Sequence, residues 1–380
     1  MARALLSTYP PFEFPLVSGQ GDCVVDDRGR RYFDFYGGHC VCSTGHSHPT
    51  VAAAVARQAE TFLFYSTAAE VPVRNEAAEA LVRFANGRGD IGVASVFFCN
   101  SGSEANENAL KVAAKLTGRR RFVAFEGGWH GRGTLPLSVT DDAKISEPYR
   151  QFLARCARLP WNDEEALARF DFTKTAAVIL EPIQSMSGIR AATSTFLRTL
   201  RQATAAAGAL LIFDEIQTGI GRLGYPFAAA KHQVQPDMIT SAKGIASGVP
   251  MGALLMSGAV ASQLKPGDLG STFGGSPLAC AALIATLDVI ASEQLMERAC
   301  AAEASIRQKL NGSCVEEIRG AGLLLGLRVP KRAAELKQHL QRAGILVGGS
   351  ADRNVLRLMP PLNITDGAIA ALAEQVQIFG

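Results

Sequence analysis

The sequence has no apolar run approaching the roughly 18 residues that a membrane span needs. Its stretch "AALIATLDVI" is interrupted by Asp288. The first fifteen residues, "MARALLSTYPPFEFP", have no long apolar segment and soon reach prolines, so neither a signal peptide nor an anchor is expected there. An excess of one charge is also missing. The chain carries 38 basic and 35 acidic residues, a net charge of +3. That balance is too even to imply nucleic acid or an anionic membrane as a partner. The eight cysteines, at 23, 40, 42, 99, 156, 280, 300 and 314, follow no repeating frame. They read as reduced, mostly buried thiols of a cytoplasmic protein. "CVC" at 40 to 42 has no second Cys or His pair at ligand spacing, so no metal site is expected. Low-complexity linkers and internal repeats are absent.

What is present is enough apolar material for a large core. The chain has 380 residues, 48% of them apolar. At about 150 residues per domain, two domains or one large domain with a subdomain are expected. "GDCVVDDRGRRYFDF", 21 to 35, reads as a hairpin around the turn signal "DDRGR". From about 50 to 270, helical and strand patterns alternate. "VASVFFCN", "RFVAFEGG", "TAAVILEP", "ALLIFDE" and "DMITSAKG" are strands. "PTVAAAVARQAETFLF", "SEANENALKVAAKLTG" and "STFLRTLRQATAAAG" are helices. Such alternation predicts a mostly parallel sheet with helices on both faces. From about 275 the texture changes to one long helical region through "RQKLNG". "GAGLLLGLRV", "AAELKQHLQRAG", "ILVGG" and "NVLRLMPP" then read as strand, helix, strand, strand, a smaller α+β unit.

Each predicted strand of the larger unit runs into polar chemistry. "VFFC" runs into "NSGSEANE", "FVAF" into "EGGWHGRG", "AVIL" into "EPIQ" from Glu181, "LLIF" into "DEIQTG", and "MITSA" into Lys243. In a parallel sheet, ligands bind beyond the carboxyl ends of the strands. Ser101, Gly102 and Ser103 stand at a helix start, which suits a phosphate or a plain Ser cap. "GGWHGRG" is an aromatic-imidazole-guanidinium cluster or a glycine-rich surface turn. A lysine at a strand end is ordinarily solvated. Beside a phosphate cradle, an aromatic plate and a buried carboxylate, Lys243 instead suits a Schiff base to pyridoxal phosphate. Asp214, at the end of a strand where a bare charge is costly, would then meet the protonated pyridine nitrogen.

With "GHSHP", "FFCNSGSEANENALKVA", "FEGGWHGR", "VILEPIQ", "LLIFDEIQTGIGR", "ITSAKGIASGVPMGA", "STFGGSPLACAA", "IRGAGLLLGL" and "VLRLMPPLNIT" in that order, the chain resembles a class III (subgroup II) pyridoxal-phosphate aminotransferase. It is most similar to the acetylornithine aminotransferase branch. The resemblance covers nearly the whole chain. It implies an α/β architecture, the type I fold of pyridoxal-phosphate transferases. A large cofactor domain would span 50–274, with a small domain built from 1–49 and 275–380. It implies that Lys243 carries the cofactor and shuttles a proton, and that Asp214 pairs with the ring nitrogen. Gln217 would reach the ring hydroxyl oxygen, with Ile216 and Trp129 on the two ring faces. Ser101, Gly102, Ser103 and Glu181 would complete the cofactor site. Thr272 would reach the phosphate of a neighbouring subunit, so a homodimer with shared sites is expected. Arg132 and Arg357 would hold substrate carboxylates, where bidentate geometry favours arginine. The implied reaction is ping-pong transfer from an amino donor, acetylornithine-like or glutamate, to a 2-oxo acid such as 2-oxoglutarate.

Two positions depart from the pattern. Relatives that use glutamate usually read "EPIQGE", and this chain reads "EPIQSMSG". Met186 stands where a switching carboxylate is expected, so Arg357 should stay available or find another partner. His39 lies in "FYGGHCVCSTGHSHP" at a substrate-facing place and is either a substrate contact or a satisfied loop histidine. These departures bear on the substrate, with other ω-amine transaminases, a dialkylglycine decarboxylase-like activity or an aminomutase as alternatives. "GIGRLG" at 219 to 224 matches G-x-G-x-x-G, but it does not directly follow its strand and opens no long helix, so a dinucleotide is not expected.

Overall fold

The structure, a computed structural model, describes residues 4–6, 8, 9 and 12–380. The reading of residues 1–15 as neither signal nor anchor falls partly on residues outside that set. The centre is a seven-stranded sheet. In spatial order its strands are Val93–Cys99, Gly252–Ser257, Met238–Ser241, Leu210–Asp214, Thr175–Leu180, Arg121–Phe125 and Cys156–Leu159. Gly252–Ser257 runs antiparallel to both neighbours, and the other six run one way. The unbroken apolar runs follow from burial on both faces. All six residues of Thr175–Leu180 are buried, and Leu211, Ile212 and Phe213 are fully enclosed. Each of those three side chains contributes about 1.5–3 kcal/mol by leaving water.

Helices close the sheet, and their ends are written locally. Gly102–Thr117 starts where the Ser101 hydroxyl accepts from the Glu104 N–H at 3.2 Å and stops at Gly118, φ 67°. Ser194–Ala207 is capped by Thr193 and ends at Gly208, φ 63°. A left-handed residue just past the last turn satisfies the final carbonyls, and glycine takes that conformation without strain.

The two chain ends meet in smaller sheets. Leu16–Gln20, Cys23–Asp26 and Arg31–Asp34 form an antiparallel set, with the expected hairpin between the last two. Ile345–Leu346 adds to it in parallel, opposite Phe33 and Asp34. Glu317–Ala321, Leu324–Arg328 and Val355–Leu358 make a second, three-stranded sheet.

Four features differ from the sequence reading. The antiparallel strand Gly252–Ser257 lies in a stretch after Lys243 to which the sequence reading assigns no element. "GAGLLLGLRV" is half of a hairpin that turns at Gly322, φ 55°, where a Cβ would overlap the Arg222 carbonyl. The long helical region is two helices, Pro277–Ser292 and Leu295–Lys309, bent by 61° at Gln294, φ 51°. No glycine or proline marks that break, so apolar spacing alone runs through it. Pro72–Asn86 is a further helix on the core. Among the described residues no single helix is long and apolar enough to cross a membrane.

Candidate active site

The carboxyl ends of the parallel strands open onto one cavity of ≈ 300 Å³. Ser101, Gly102, Ser103, Trp129, Glu181, Asp214, Ile216, Gln217 and Lys243 all line it. Nine sequence-selected residues, drawn from five separate segments, therefore share one space.

Sheet register places the charges. Asp214 lies opposite Thr240, and Phe213 opposite Leu180, one residue before Glu181. Lys243 follows Ser241 by two residues, on a left-handed turn with φ 48°. Asp214 is 3% exposed. Its Oδ2 accepts from Asn106 Nδ2 and His130 Nδ1, both at 2.8 Å, and its Oδ1 accepts from the Ile216 N–H at 3.2 Å. Asn106 is held in turn by its own Nδ2 donating to the His130 carbonyl and by Thr240 Oγ1 donating to its Oδ1. A buried carboxylate fixed in this way keeps a defined direction toward the cavity.

Lys243 is half-buried, and desolvation lowers its pKa, with the charges of Cys40, Asp214 and Glu181 opposing the shift. Burial raises Glu181 to about 7 against the His130 charge, which lowers it. Glu181 Oε1 accepts from the Trp129 N–H at 2.9 Å and thereby sets the aromatic plate. At the opposite wall, a Cβ on Gly102 would come within 2.5 Å of Ile216 Cδ1, so glycine lets the helix start and Ile216 approach. The first-turn N–H groups of that helix point out of its N-terminus and suit an anion. Gln217 Oε1 is buried with no hydrogen-bond partner among the described residues.

Arg357 lies on Val355–Leu358 and is 2% exposed. Nε donates to the Gly349 carbonyl at 2.5 Å and Nη1 to Ser185 Oγ at 3.0 Å. No carboxylate among the described residues pairs with it. The partner left open by the missing glutamate is thus a neutral hydroxyl. Met186 is half-buried, and its carbonyl accepts from the Ala351 N–H at 2.8 Å.

Arg357 and Met186 lie outside the cavity lining, and so do three further sequence-selected residues. Arg132 is exposed, outside the cavity lining, with its guanidinium 5.7 Å from the Trp129 ring centre. Thr272 is exposed and also outside the lining. His39 lies beyond the lining as well, near enough to Lys243 and Arg357 for both charges to act on it. Sequence reasoning missed Asn106 and Ser185. The only signal for Asn106 is a lone amide among Ala105, Ala109 and Leu110 on a buried helix face.

A family profile described as aminotransferase class-III matches residues 7–378. An acetylornithine aminotransferase of Streptomyces coelicolor is 42% identical over 97% of this chain and 91% of its own length. A LysW-aminoadipate semialdehyde/glutamate semialdehyde transaminase of Sulfolobus acidocaldarius is 36% identical, covering 95% of this chain and 93% of its own. Among solved structures, the ornithine aminotransferase of Toxoplasma gondii superposes with a TM-score of 0.90 at 31% identity, over 99% of this chain and 92% of that one.

Proposed function

The chain belongs to the class-III aminotransferases and is a pyridoxal-phosphate-dependent transaminase of the type I fold, and from that premise we propose that it moves the terminal amino group of an acetylornithine-like donor to a 2-oxo acid such as 2-oxoglutarate. One observation carries the reading: a half-buried lysine and a buried aspartate share a cavity with the N-terminus of a sixteen-residue helix. The relatives named above favour transfer of a terminal amino group over the decarboxylating and mutase alternatives.

The residues present fit pyridoxal phosphate. Gln217 supplies an unpartnered buried oxygen, Gly102 leaves Ile216 room to form one wall, and Trp129 faces the same space. Ser101, Gly102 and Ser103 would hold the phosphate. Asp214 would hold the proton on the ring nitrogen, and Glu181 would fix the Trp129 segment. When bound, the cofactor supplies an electron sink for the substrate carbon that loses its proton. Lys243 would hold the cofactor covalently and then take the proton from the amine-bearing carbon. Its burial favours the neutral amine that this step needs. Arg357 would bind the carboxylate of glutamate or 2-oxoglutarate, and Arg132 a carboxylate of the donor. Met186 would line the donor end with a flexible apolar side chain.

Residues 50–274 would form the cofactor domain, and 1–49 with 275–380 the small one. Support comes from the sheets: every strand of the seven-stranded sheet lies between Val93 and Ser257, while Arg31–Asp34 pairs with Ile345–Leu346. A homodimer with Thr272 reaching the neighbouring site is supported by the aromatic surface beside that residue. Phe273 is 60% exposed, its ring 5.0 Å from that of Phe64. A cytoplasmic setting fits eight free thiols.

The test is spectral. N-acetylornithine and L-glutamate, added separately to purified holoenzyme, should each bleach the visible band of the bound cofactor, and 2-oxoglutarate should restore it. A band that ignores both donors and bleaches with another amine would reject the donor assignment.

A further inference from the structure

The stretch "GIGRLG", 219 to 224, lies in a turn that leaves the cavity just after Gln217. Residues 217 to 224 are all buried and form neither helix nor strand. Irregular chain inside a protein must find partners for its polar groups. Many of them are found locally. The Glu215 carboxylate is wholly enclosed and accepts from Thr218 Oγ1 and from the Ala229 N–H, both at 2.9 Å. The Glu215 carbonyl accepts from the Gly219 N–H, also at 2.9 Å. The glycines serve close packing. A Cβ on Gly219 would lie 2.7 Å from the Phe227 ring, and one on Gly224 would lie 2.2 Å from Cys300 Sγ.

Arg222 carries the positive charge of that turn and is 2% exposed. Its Nη1 donates to the Leu323 carbonyl at 3.2 Å and to the Pro360 carbonyl. Its own carbonyl accepts from the Leu323 N–H at 2.9 Å. These partners flank the two strands that pair around Arg357. Leu323 leads into Leu324–Arg328, where Gly326 lies opposite Arg357, and Pro360 lies just past Val355–Leu358. Both acceptors are neutral carbonyls. Enclosing a guanidinium against neutral partners is costly, and an apolar side chain of similar volume would pack there at less cost. What the guanidinium adds is geometry. One nitrogen gathers two carbonyls onto the turn, across 101 and 138 positions of the chain.

We propose that Arg222 is a positioning residue that fixes how far the Arg357 guanidinium stands from the Gln217 edge of the cavity. It thereby sets the reach of a substrate whose carboxylate lies on Arg357 while its reacting carbon lies at Lys243. The proposal rests on the assignment of Arg357 above. It makes the two halves of the reaction unequal. A 2-oxo acid held by Arg357 depends on that separation. An acetylornithine-like donor held by Arg132 does not, because Arg132 follows the Trp129 segment of the large sheet.

Half-reactions of the holoenzyme, followed at the visible band of the cofactor, test it beside calorimetric binding of glutarate, an unreactive dicarboxylate. Arg222→Met keeps an unbranched side chain and removes the donors. It should slow restoration of the band by 2-oxoglutarate by about tenfold to a hundredfold, the size of a misplacement of about 1 Å. Glutarate should weaken by a similar factor, while bleaching by N-acetylornithine keeps its wild-type rate. Arg222→Lys, which retains a donor for one carbonyl, should recover part of the loss. If Arg222→Met fails to fold, Gly322→Ala gives the same comparison, because a Cβ there would lie 2.3 Å from the Arg222 carbonyl oxygen and push the hairpin off the turn. In folded, cofactor-loaded protein, a loss in the donor step as large as that in the 2-oxoglutarate step overturns the proposal, as does no loss in either. If Arg357→Lys leaves both glutarate binding and the 2-oxoglutarate step unchanged, the Arg357 assignment falls and takes the proposal with it.

Discussion

Replacing Asp214 by asparagine separates the charge of this residue from its shape. Three donors converge on the carboxylate: Asn106 Nδ2, His130 Nδ1 and the Ile216 N–H. The amide must set its oxygen where Oδ2 was, because two of those donors meet there. Its NH2 then faces the Ile216 N–H, and a hydrogen bond of about 0.5–1.5 kcal/mol is lost. The fold should therefore lose only about 1–3 kcal/mol. Activity should suffer more. A ring nitrogen in this buried place would lose its counter-charge, and breaking a buried pair costs about 3–5 kcal/mol. At about 1.36 kcal/mol per factor of ten, kcat/KM should fall by roughly two to four orders of magnitude. The assay is kcat/KM on cofactor-saturated enzyme, beside a thermal melt of the same sample. A loss below tenfold, or a loss explained by unfolding alone, would show that the Asp214 charge is not what the reaction uses.

Three further outcomes are expected. Lys243→Ala should bind cofactor poorly and lose turnover by several orders of magnitude, and borohydride treatment of the wild type followed by peptide mapping should mark Lys243; a mark elsewhere would move the covalent site. Met186→Glu places a carboxylate one residue from Ser185 and should shift the donor range toward amines without a carboxylate more than it changes the rate with the best donor; identical donor profiles would show that position 186 does not govern Arg357. His46 is raised from 6.5 to about 10, chiefly by its hydrogen bond to Asp34 and then by Cys42. A raised folded-state pKa contributes stability that is complete below about pH 6.5 and disappears as pH climbs through about 10, so Tm should fall across that window and His46→Gln should flatten the fall; parallel Tm curves for the two proteins would refute the coupling.

The chemistry of the site was legible where it is written within a few residues. Asp214 follows a strand buried on both faces, Lys243 ends another, and Ser101 to Ser103 open a helix, so each carries its own local signal. The sheet register that gathers them follows from strand–helix alternation. Pairings across long chain distances left no such mark. Asn106 reaches Asp214 across 108 positions and Ser185 reaches Arg357 across 172. Nothing in "EPIQSMSG" says that its first serine, rather than the methionine after it, meets the arginine. The bend at Gln294 was invisible because helical apolar spacing continues through it. The Gly252–Ser257 strand was hidden because its antiparallel course breaks the alternation that revealed its neighbours.

The pairing of Phe33 and Asp34 with Ile345 and Leu346 has a consequence for synthesis. A chain leaves the ribosome from its N-terminal end. The strands that bring Asp214 and Lys243 together are complete once residue 257 has emerged, whereas the partner that pins the first hairpin arrives about ninety residues later. The nascent chain can gather its cofactor-facing residues while the Arg357 end of the site is still unmade. Shortening the chain before Ile345 should leave a product that retains the large sheet and lacks the substrate end.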